Sequence, residues 1–330
     1  MRASVIIPTR NRARTLEACL DSLVSQSIGT NAFEVVVIDN GSTDGTRDIV
    51  ETYEGSLRLS YMSEPEPGLH IGRHAGAQAA SSDILVFADD DIMAGARWIE
   101  SIVESFSHPD VALVGGNNLP LFDQNPPDWL SRWWESPVGR GRALSYLSIL
   151  DFGGGLFDIS PYYVWGCNFA VRRQVLLRAG GFHPDAFPKE RLRWRGDGET
   201  HVSRWVVKNG LRAVFNSGAS VHHRVPRSRM TPDYFSERAY AQGISDSYTD
   251  IRARVLGGQT AHAAFPRRVV LNWMSRAKER CTPASDQVGK QLRGVKLAAL
   301  RSWRAGYRFH QQSVREDPDL LVWVTRTTYS

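Results

Sequence analysis

Short apolar runs alternate with amphipathic segments along the first part of the chain. Residues 4–8, 33–38 and 84–88 are nearly unbroken apolar runs, which is typical of strands buried on both faces of a parallel sheet. Residues 14–26 and 70–80 have the apolar spacing or the small residues of helices. This alternation of strand and helix predicts βαβ units with right-handed connections, and therefore an α/β fold.

The pattern loosens in the middle of the chain and becomes mainly helical towards its end. Strand character returns at residues 111–114, 164–171, 213–215 and 219–223. A helix is indicated at residues 202–208. From residue 231 onward the apolar spacing predicts helices, over residues 234–242, 266–280 and 288–309.

Composition and charge narrow the class of protein. The chain has 330 residues, of which 42% are apolar and 23% charged, as in ordinary globular proteins. It has no run of 18 apolar residues, no signal-peptide pattern and three widely spaced cysteines. We therefore expect a cytoplasmic protein with free thiols, without a transmembrane helix.

The charge is distributed unevenly along the chain. Residues 251–330 contain 15 lysines and arginines against 5 acidic residues, a net charge of +10, whereas residues 1–250 carry −5. A basic segment can meet an anionic membrane surface or an acidic partner. A genome that favours arginine codons explains the same composition, and we expect no nucleic-acid partner.

Three adjacent carboxylates follow one of the apolar runs. Asp89, Asp90 and Asp91 come directly after residues 84–88, where their mutual repulsion costs on the order of 1 kcal/mol per close pair. A divalent cation with anionic phosphates is one reason to retain such a cluster. Ligands of open α/β sheets bind beyond the carboxyl ends of strands. A solvated acidic turn is the alternative interpretation.

The first apolar run ends in a segment that can meet phosphates. Arg10 and Arg12 follow Pro8 and Thr9, and their guanidinium groups suit a diphosphate, although ordinary surface arginines have the same pattern. No Gly-x-Gly-x-x-Gly motif follows the first strands, so the dinucleotide-binding fingerprint is absent.

Several of these segments together resemble family 2 glycosyltransferases of the GT-A fold. The resemblance is carried in order by VIIPTRNR, EVVVIDNGSTDGT, EPGLHIGRHAGAQAA, DILVFADDD, WGCNFAV, AGGF, GDGET and ASVHH. It implies an α/β GT-A fold whose central, mostly parallel sheet is flanked by helices. We expect a catalytic domain over residues 1–225, with a nucleotide-binding half of about 1–115 and an acceptor half of about 116–225. A mainly helical C-terminal extension then covers residues 226–330.

The resemblance also implies roles for individual residues. Contacts with the nucleotide-sugar donor are implied for Pro8, Thr9, Arg10, Asp39, Glu64, Arg73, Asp89 and Asp90. Within that set, Asp39 binds the base and Asp89 the ribose side. Asp39 can instead open an Asx turn before Gly41. The implied ligand of a divalent metal, Mn²⁺ or Mg²⁺, is Asp91.

The catalytic base and a second metal ligand are each implied with an alternative. Glu199 matches the position of the base, but the family usually has Asp there, and Asp197 is a rival that can instead cap the following helix. His223 matches a late metal ligand. On a strand only one of His222 and His223 can face the site, and a buried histidine bonded to the backbone is the alternative interpretation.

The resemblance implies an inverting, metal-dependent glycosyltransferase. Its donor would be a UDP-, GDP- or TDP-sugar, and its acceptor a hydroxyl or amine on a small molecule, a glycan or a lipid-linked sugar. A nucleotidyltransferase is an alternative, but it predicts a glycine-rich, lysine-bearing phosphate loop that this N-terminus lacks. A binding protein on a decayed transferase fold is the other alternative, and it predicts neither metal binding nor donor hydrolysis.

Residues 266–280 predict an amphipathic helix. Val269, Val270, Trp273, Met274 and Ala277 alternate there with arginines and a lysine. We expect the apolar face to pack on the catalytic core or on a second subunit as a homodimer contact, because core-covering helices have this pattern. The alternative is peripheral contact with the inner face of a membrane, which would bring the protein to a lipid-linked acceptor.

Overall fold

The structure is a computed structural model that describes residues 2–260, 267–281, 283–284 and 286–329. In chain order, its strands are β1 (Ala3–Thr9), β2 (Phe33–Asp39), β3 (Leu59–Ser63), β4 (Ile84–Ala88), β5 (Ile92–Ala94), β6 (Val111–Gly115), β7 (Asn118–Phe122), β8 (Pro137–Val138), β9 (Gly141–Leu144), β10 (Ile149–Asp151), β11 (Leu156–Asp158), β12 (Asn168–Arg172), β13 (Arg212–Asn216) and β14 (Val221–Val225).

Helices alternate with the first strands and dominate the end of the chain. They are α1 (Ala13–Val24), α2 (Thr46–Glu51), α3 (Leu69–Ala79), α4 (Trp98–Ser105), α5 (Asp128–Trp134), α6 (Arg173–Ala179), α7 (Thr200–Lys208), α8 (Pro232–Leu256), α9 (Arg267–Cys281), α10 (Gln287–Glu316) and α11 (Pro318–Thr325). The predicted α/β fold with a helical C-terminal region is confirmed.

The larger sheet is mixed. Its strand order is β11-β13-β6-β12-β4-β1-β2-β3. The β4-β1-β2-β3 half is parallel throughout, as the apolar runs predict. β12 runs antiparallel between β4 and β6. In the same half of the sheet β13 pairs parallel with β6 and antiparallel with β11, so the sheet that was expected to be mostly parallel is mixed there. The strand direction of β12 depends on how the chain returns from residues 116–167, and a short apolar run does not specify that direction.

A second, smaller sheet lies beside the first. Its strand order is β5-β14-β7-β10-β9-β8. β14 pairs antiparallel with β5, so that His223 lies opposite Ile92 and His222 opposite Met93. This register brings the end of β14 next to the acidic residues that follow β4.

Apolar clusters cover both faces of the larger sheet. Alternate residues of β1 point to opposite faces: Val5 and Ile7 pack with α1 and α4, and Ile6 packs with α3 and α6. A third cluster joins α5 and the smaller sheet to α8 and α10, with Phe235 among its buried members. The helical region therefore shares a core with residues 116–225, and the boundary at residue 225 remains a prediction.

The helix α9 lies on the protein with its polar side inward. Its buried residue is Asn272, whose Nδ2 donates to the carbonyl of Leu300. Its apolar residues Val270, Trp273 and Met274 are 41%, 63% and 56% exposed. The expectation that this face packs on the core is therefore wrong for these residues; Pro266, the first residue of the predicted segment, lies outside the described residues. Val269 packs partly inward against the apolar cluster of α8 and α10 that contains Trp303. Asn272 and Arg268 form polar inner contacts beside it, because α8 and α10 offer polar partners there.

No helix in the part of the chain that the structure describes is both long enough and apolar enough to cross a membrane. Cys19 and Cys167 are buried free thiols, and Cys281 is exposed.

Candidate active site

A cleft of about 600 Å³ opens at the carboxyl ends of β1 and β4. This is the edge at which open α/β sheets bind ligands, because the strands stop there and the loops diverge. The parallel pairing of β1 with β2 and β4 brings Thr9, Asp39 and the acidic segment 89–91 to the same edge. One wall of the cleft belongs to the first half of the chain. The opposite wall comes from residues 185–188, Glu199 and α8.

The middle residue of the acidic segment is bonded to the protein. Oδ2 of Asp90 accepts from the Thr9 hydroxyl at 2.7 Å, and Oδ1 accepts from Arg12 at 2.9 Å. Burial raises the pKa of Asp90 to about 6, although Arg12 opposes that shift. Asp90 and Thr9 thus hold the end of β1 to the end of β4.

The next carboxylate, Asp91, is surrounded by cationic groups. Oδ2 lies 2.8 Å from Arg12 and 3.2 Å from Arg229, and Oδ1 lies 3.3 Å from Nε2 of His223. Burial alone would raise the pKa of Asp91, but His223, Arg229 and Arg12 together hold it well below its usual range. The carboxylate therefore stays ionised.

The strand register decides which histidine reaches the acidic segment. His223 is buried and faces Asp91, whereas its neighbour His222 is exposed. The amide of Arg224 donates to the carbonyl of Asp91 at 3.0 Å. This backbone hydrogen bond holds β14 beside Asp91, the residue that the His223 side chain faces. The expectation that only one of the two histidines faces the site is confirmed.

Three side chains form a group that can hold a metal ion. One ligand atom each of Asp89, Asp91 and His223 lies within 4.8 Å of the others. Oδ1 of Asp91 and Nδ1 of His223 are buried polar atoms without a hydrogen-bond partner among the described residues. Oxygen and imidazole ligands suit Mn²⁺. These three residues therefore fit a divalent cation. Asp89, which was expected only near the ribose, is thus also a candidate metal ligand.

Arg73 connects the acidic segment to Glu199. This arginine is only 3% exposed, and its guanidinium lies 3.4 Å from Asp89 and 3.5 Å from Glu199. Gly166 permits that position, because a Cβ there would lie 2.4 Å from the Arg73 guanidinium. The amide of Gly166 also donates to Oε1 of Glu199 at 3.3 Å.

Asp197 and Glu199 point in different directions. Gly198 separates them with φ of +52°, a left-handed conformation that glycine adopts readily. Glu199 lines the cleft at the start of α7, where a carboxylate is favoured by the helix dipole. Asp197 is 8% exposed and accepts from Arg204 and Thr249, each at 2.8 Å.

Asp197 belongs to a buried polar network. Its Oδ1 lies 2.7 Å from Nδ1 of His183. Burial would raise the pKa of Asp197, but His183 and Arg204 hold it well below the usual range. Burial lowers the pKa of His183, although Asp197 opposes that shift. A carboxylate only accepts hydrogen bonds, so Nδ1 of His183 is the donor to Asp197. The alternative role of Asp197 as a helix cap is not observed, since Glu199 occupies the N-cap position of α7.

The residues that were expected to contact the donor do not all line the cleft. Pro8, Thr9 and Arg10 line the cleft. Asp39 is buried and accepts from the Ser42 amide at 2.7 Å and from the Tyr61 hydroxyl at 2.5 Å. Its expected Asx-type turn is therefore present, and its contact with a base remains a prediction.

Glu64 lies behind the cleft wall, near Asn40. Its carbonyl accepts from Nδ2 of Asn40 at 3.0 Å, and its Oε1 accepts from the Glu66 amide. Asn40 itself lines the cleft. Glu64 can thus orient the loop after β2, and its direct contact with a donor remains a prediction.

Three residues of the C-terminal region line the cleft although sequence reasoning did not single them out: Arg229, Tyr234 and Arg238. The Thr231 hydroxyl accepts from the Tyr234 amide and Pro232 occupies the first helical position, so a capped helix starts beside the cleft. Tyr234 and Arg238, four residues apart, share one face of α8. The sequence signal that was available is Thr231-Pro232, a strong helix start just after the strand of His223.

The chain belongs to the family described as glycosyl transferase family 2, whose model matches residues 4–178. The matched region contains the expected donor contacts and Asp91. Asp197, Glu199 and His223 lie beyond it, so their roles depend on the geometry described above.

Two curated relatives are glycosyltransferases by name. The validoxylamine A glucosyltransferase of Streptomyces hygroscopicus subsp. jinggangensis is 32% identical over 198 residues, which cover 55% of this chain and 47% of that protein. The glucosyl-dolichyl phosphate glucuronosyltransferase of Haloferax volcanii is 25% identical over 264 residues, covering 76% of this chain and 78% of that protein. The match with the Streptomyces relative thus spans less than half of that protein's length.

A solved structure has the same fold. It is the mannosyltransferase of Pyrobaculum calidifontis in complex with GDP-Man and Mn²⁺, which aligns with a TM-score of 0.50 at 18% sequence identity. The alignment covers 99% of this chain and 84% of that one. At this identity the likeness establishes the GT-A fold alone.

Proposed function

We propose that this protein is an inverting, metal-dependent glycosyltransferase that moves a sugar from a nucleotide diphosphate to an acceptor hydroxyl or amine. One observation carries the proposal: a cluster of Asp89, Asp91 and His223, suited to a cation, shares one cleft with Glu199, and Arg73 connects the two sides. An inverting transfer needs a leaving-group site and a base on opposite sides of the sugar, and we assign these roles to the Asp89, Asp91 and His223 cluster and to Glu199.

Asp89, Asp91 and His223 would hold Mn²⁺ or Mg²⁺ together with the donor diphosphate. Such a cation stabilises negative charge that develops on a departing phosphate. Arg12 and Arg229 lie beside Asp91 and would present further donors to the diphosphate. Pro8, Thr9, Arg10 and the loop at Asn40 line the part of the cleft expected to receive the nucleoside.

Glu199 is the proposed base. Its carboxylate lines the cleft, and its contacts with the described residues are long, 3.3 Å to the Gly166 amide and 3.5 Å to Arg73, so it can accept a proton from an acceptor. Asp197 is less suited to the role, because both of its oxygens have buried partners. Arg73 would orient Glu199 relative to the acidic segment.

For the acceptor we propose only a broad chemical class, a polar small molecule or a lipid-linked sugar. The Streptomyces relative is named for a small molecule, validoxylamine A, and the Haloferax relative for a lipid-linked sugar, glucosyl-dolichyl phosphate. The acceptor side of the cleft contains Arg238 and Tyr234. A guanidinium and a phenol suit a polar acceptor of either kind.

The proposal is tested by thermal denaturation with UDP, GDP and TDP, each with and without Mn²⁺, followed by donor hydrolysis with the matching sugar nucleotides. Binding to the native state raises the melting temperature by mass action. We expect one nucleotide to stabilise the protein much more with Mn²⁺ than without it, and its sugar derivative to be slowly hydrolysed. If no nucleotide diphosphate shifts the melting temperature and no donor is consumed, the protein is a binding protein on this fold.

A further inference from the structure

The outer face of α9 is apolar along its centre and basic along its edges. Val270, Met274, Ala277 and Cys281 recur every three or four residues and are all exposed, so they form one stripe on the helix. Trp273 extends the stripe on one side and is 63% exposed. Soluble proteins seldom leave such a stripe uncovered without a use for it.

The inner face of the same helix is held by polar contacts and by Val269, which packs against the apolar cluster of α8 and α10. Arg268 bonds to Asp246 and Asp250 on α8, each at 2.9 Å, and Asn272 bonds to the backbone of α10. The orientation of α9 is therefore fixed by polar contacts, and turning the apolar stripe inward would break them. The outward stripe is the stable arrangement of this region.

Four arginines lie near one another on α9 and α10, and the residues that the structure describes give them no acidic partner. Arg276 and Arg280 lie on α9, and Arg301 and Arg304 lie on α10. Burial and the proximity of the other three lower the pKa of Arg276. Nε of Arg276 and Nε of Arg304 are buried and lack hydrogen-bond partners among the described residues. This concentration of positive charge favours binding to an anionic partner.

We propose that the outer face of α9, with the four arginines, docks on the surface of an anionic phospholipid bilayer. A helix with an apolar stripe and basic edges lies in the headgroup region with its apolar side down, and anionic lipid headgroups neutralise the arginines. Trp273 suits that boundary, because an indole has an apolar body and one polar N–H.

A second copy of the chain is a poorer occupant of this surface. A two-fold contact would bring the same four arginines of each copy together, and the segment from residue 251 onward already carries a net charge of +10. The bilayer supplies the opposite charge and the apolar interior in one surface. The proposal stands independently of the proposed enzymatic function.

α8 connects this surface to the cleft, since Arg238 lines the cleft and Asp246 anchors α9. Eight helical residues correspond to about 12 Å. The proposed membrane contact and the cleft are therefore connected by one continuous helix.

The test is flotation of the full chain with two kinds of vesicle, phosphatidylcholine alone and an equal mixture of phosphatidylglycerol and phosphatidylcholine, at low and high salt. We expect binding to the anionic vesicles at low salt, and release at high salt because ions screen the arginines. Equal binding to both vesicles, or no binding to the anionic ones at low salt, overturns the proposal.

Two variants separate the apolar and the electrostatic contributions. Arg280→Ala with Arg301→Ala removes two exposed charges, and we expect about 25-fold weaker binding, since each basic residue contributes about fivefold. Trp273→Ser with Met274→Ser should lower binding at least about tenfold. Leu177→Ser with Arg178→Ala changes one apolar and one basic exposed residue of α6, and this matched control should bind like the wild type.

Two further measurements keep the result interpretable. The melting temperature of each variant should match that of the wild type, because all the altered side chains are exposed. Sedimentation equilibrium should show that the wild type does not dimerise through the outer face of α9. A dimer that Trp273→Ser dissociates would assign the surface to self-association and overturn the proposal. The nucleotide melting assay stays positive if only the membrane proposal fails.

Discussion

The two acidic segments of this protein, residues 89–91 and 197–199, have the same design but different surroundings. In each, one carboxylate has both oxygens bonded internally: Asp90 to Thr9 and Arg12, and Asp197 to His183, Arg204 and Thr249. In each, another retains free acceptor capacity towards the cleft, Asp91 through Oδ1 and Glu199 through long contacts. Adjacent acids in a motif are therefore not interchangeable, because neighbouring donors determine which one remains available for chemistry.

The largest effect is expected for Asp91→Asn. Removing one negative charge from the candidate metal group should lower metal-dependent turnover by about 10⁴-fold, because the cation supplies several kcal/mol of stabilisation to the transition state. Donor consumption is measured over a range of Mn²⁺ concentrations. The matched change Asp90→Asn should leave the Mn²⁺ dependence near that of the wild type. Equal losses in both variants would contradict the distinction drawn between the two residues.

Glu199→Gln should have the next largest effect. The amide keeps the shape of the side chain but cannot accept a proton, so kcat should fall by about 10²- to 10⁴-fold while donor affinity changes little. Steady-state kinetics and nucleotide binding are measured on the same preparation. An active Glu199→Gln together with an inactive, folded Asp197→Asn would transfer the role of base to Asp197.

Asp197→Asn should act mainly on stability. The substitution leaves Arg204 without its anionic partner, but the Arg204 side chain is 35% exposed and solvated by water, so we expect a loss of about 1–3 kcal/mol. Urea denaturation should record that loss, while kcat measured well below the melting temperature should stay within about tenfold of the wild type. A variant as stable as the wild type would show that the network around His183 contributes little.

The smallest effect concerns pH. The folded-state pKa of Asp197 is depressed, so its contribution to stability is fully present above the unfolded value of about 3.9 and is lost as the pH falls below it. The difference in unfolding free energy between wild type and Asp197→Asn should be constant from about pH 7 to 5 and shrink below about pH 4, by up to about 1.4 kcal/mol per pH unit. A difference that persists unchanged in acid would contradict the depressed pKa.

Much of the fold of residues 1–115 could be predicted from the sequence. The apolar runs that become β1, β2 and β4 are buried almost throughout, as expected of strands that are covered on both faces of a sheet. The acidic segment follows β4 directly, so its location at the carboxyl edge followed from that one assignment. The strands in the second half of the chain were harder to predict because they are short. No local sequence pattern indicates that β12 runs antiparallel to its neighbours.

The cleft wall formed by α8 was not predicted. Arg229 and Arg238 are ordinary arginines in a chain that is rich in them, and their contact with the cleft depends on the path of the chain after β14. The orientation of α9 was also missed. An amphipathic pattern predicts an apolar and a polar side of a helix, but it does not say which side packs on the protein. Here the polar side packs inward, because α8 provides carboxylates and α10 a carbonyl that accept its hydrogen bonds.

The sequence by itself determined the α/β alternation, the edge of the sheet at which the chemistry is expected, and the short set of acids and histidines to consider. These follow from local periodicity and from the order of motifs. The tertiary structure alone decided that His223 and not His222 meets Asp91, that Glu199 faces the cleft while Asp197 is buried, and that α9 turns its apolar stripe outward. Each of those choices depends on a strand register, a glycine with positive φ or a polar contact between segments far apart in the chain, and such long-range pairings leave no pattern in the local sequence.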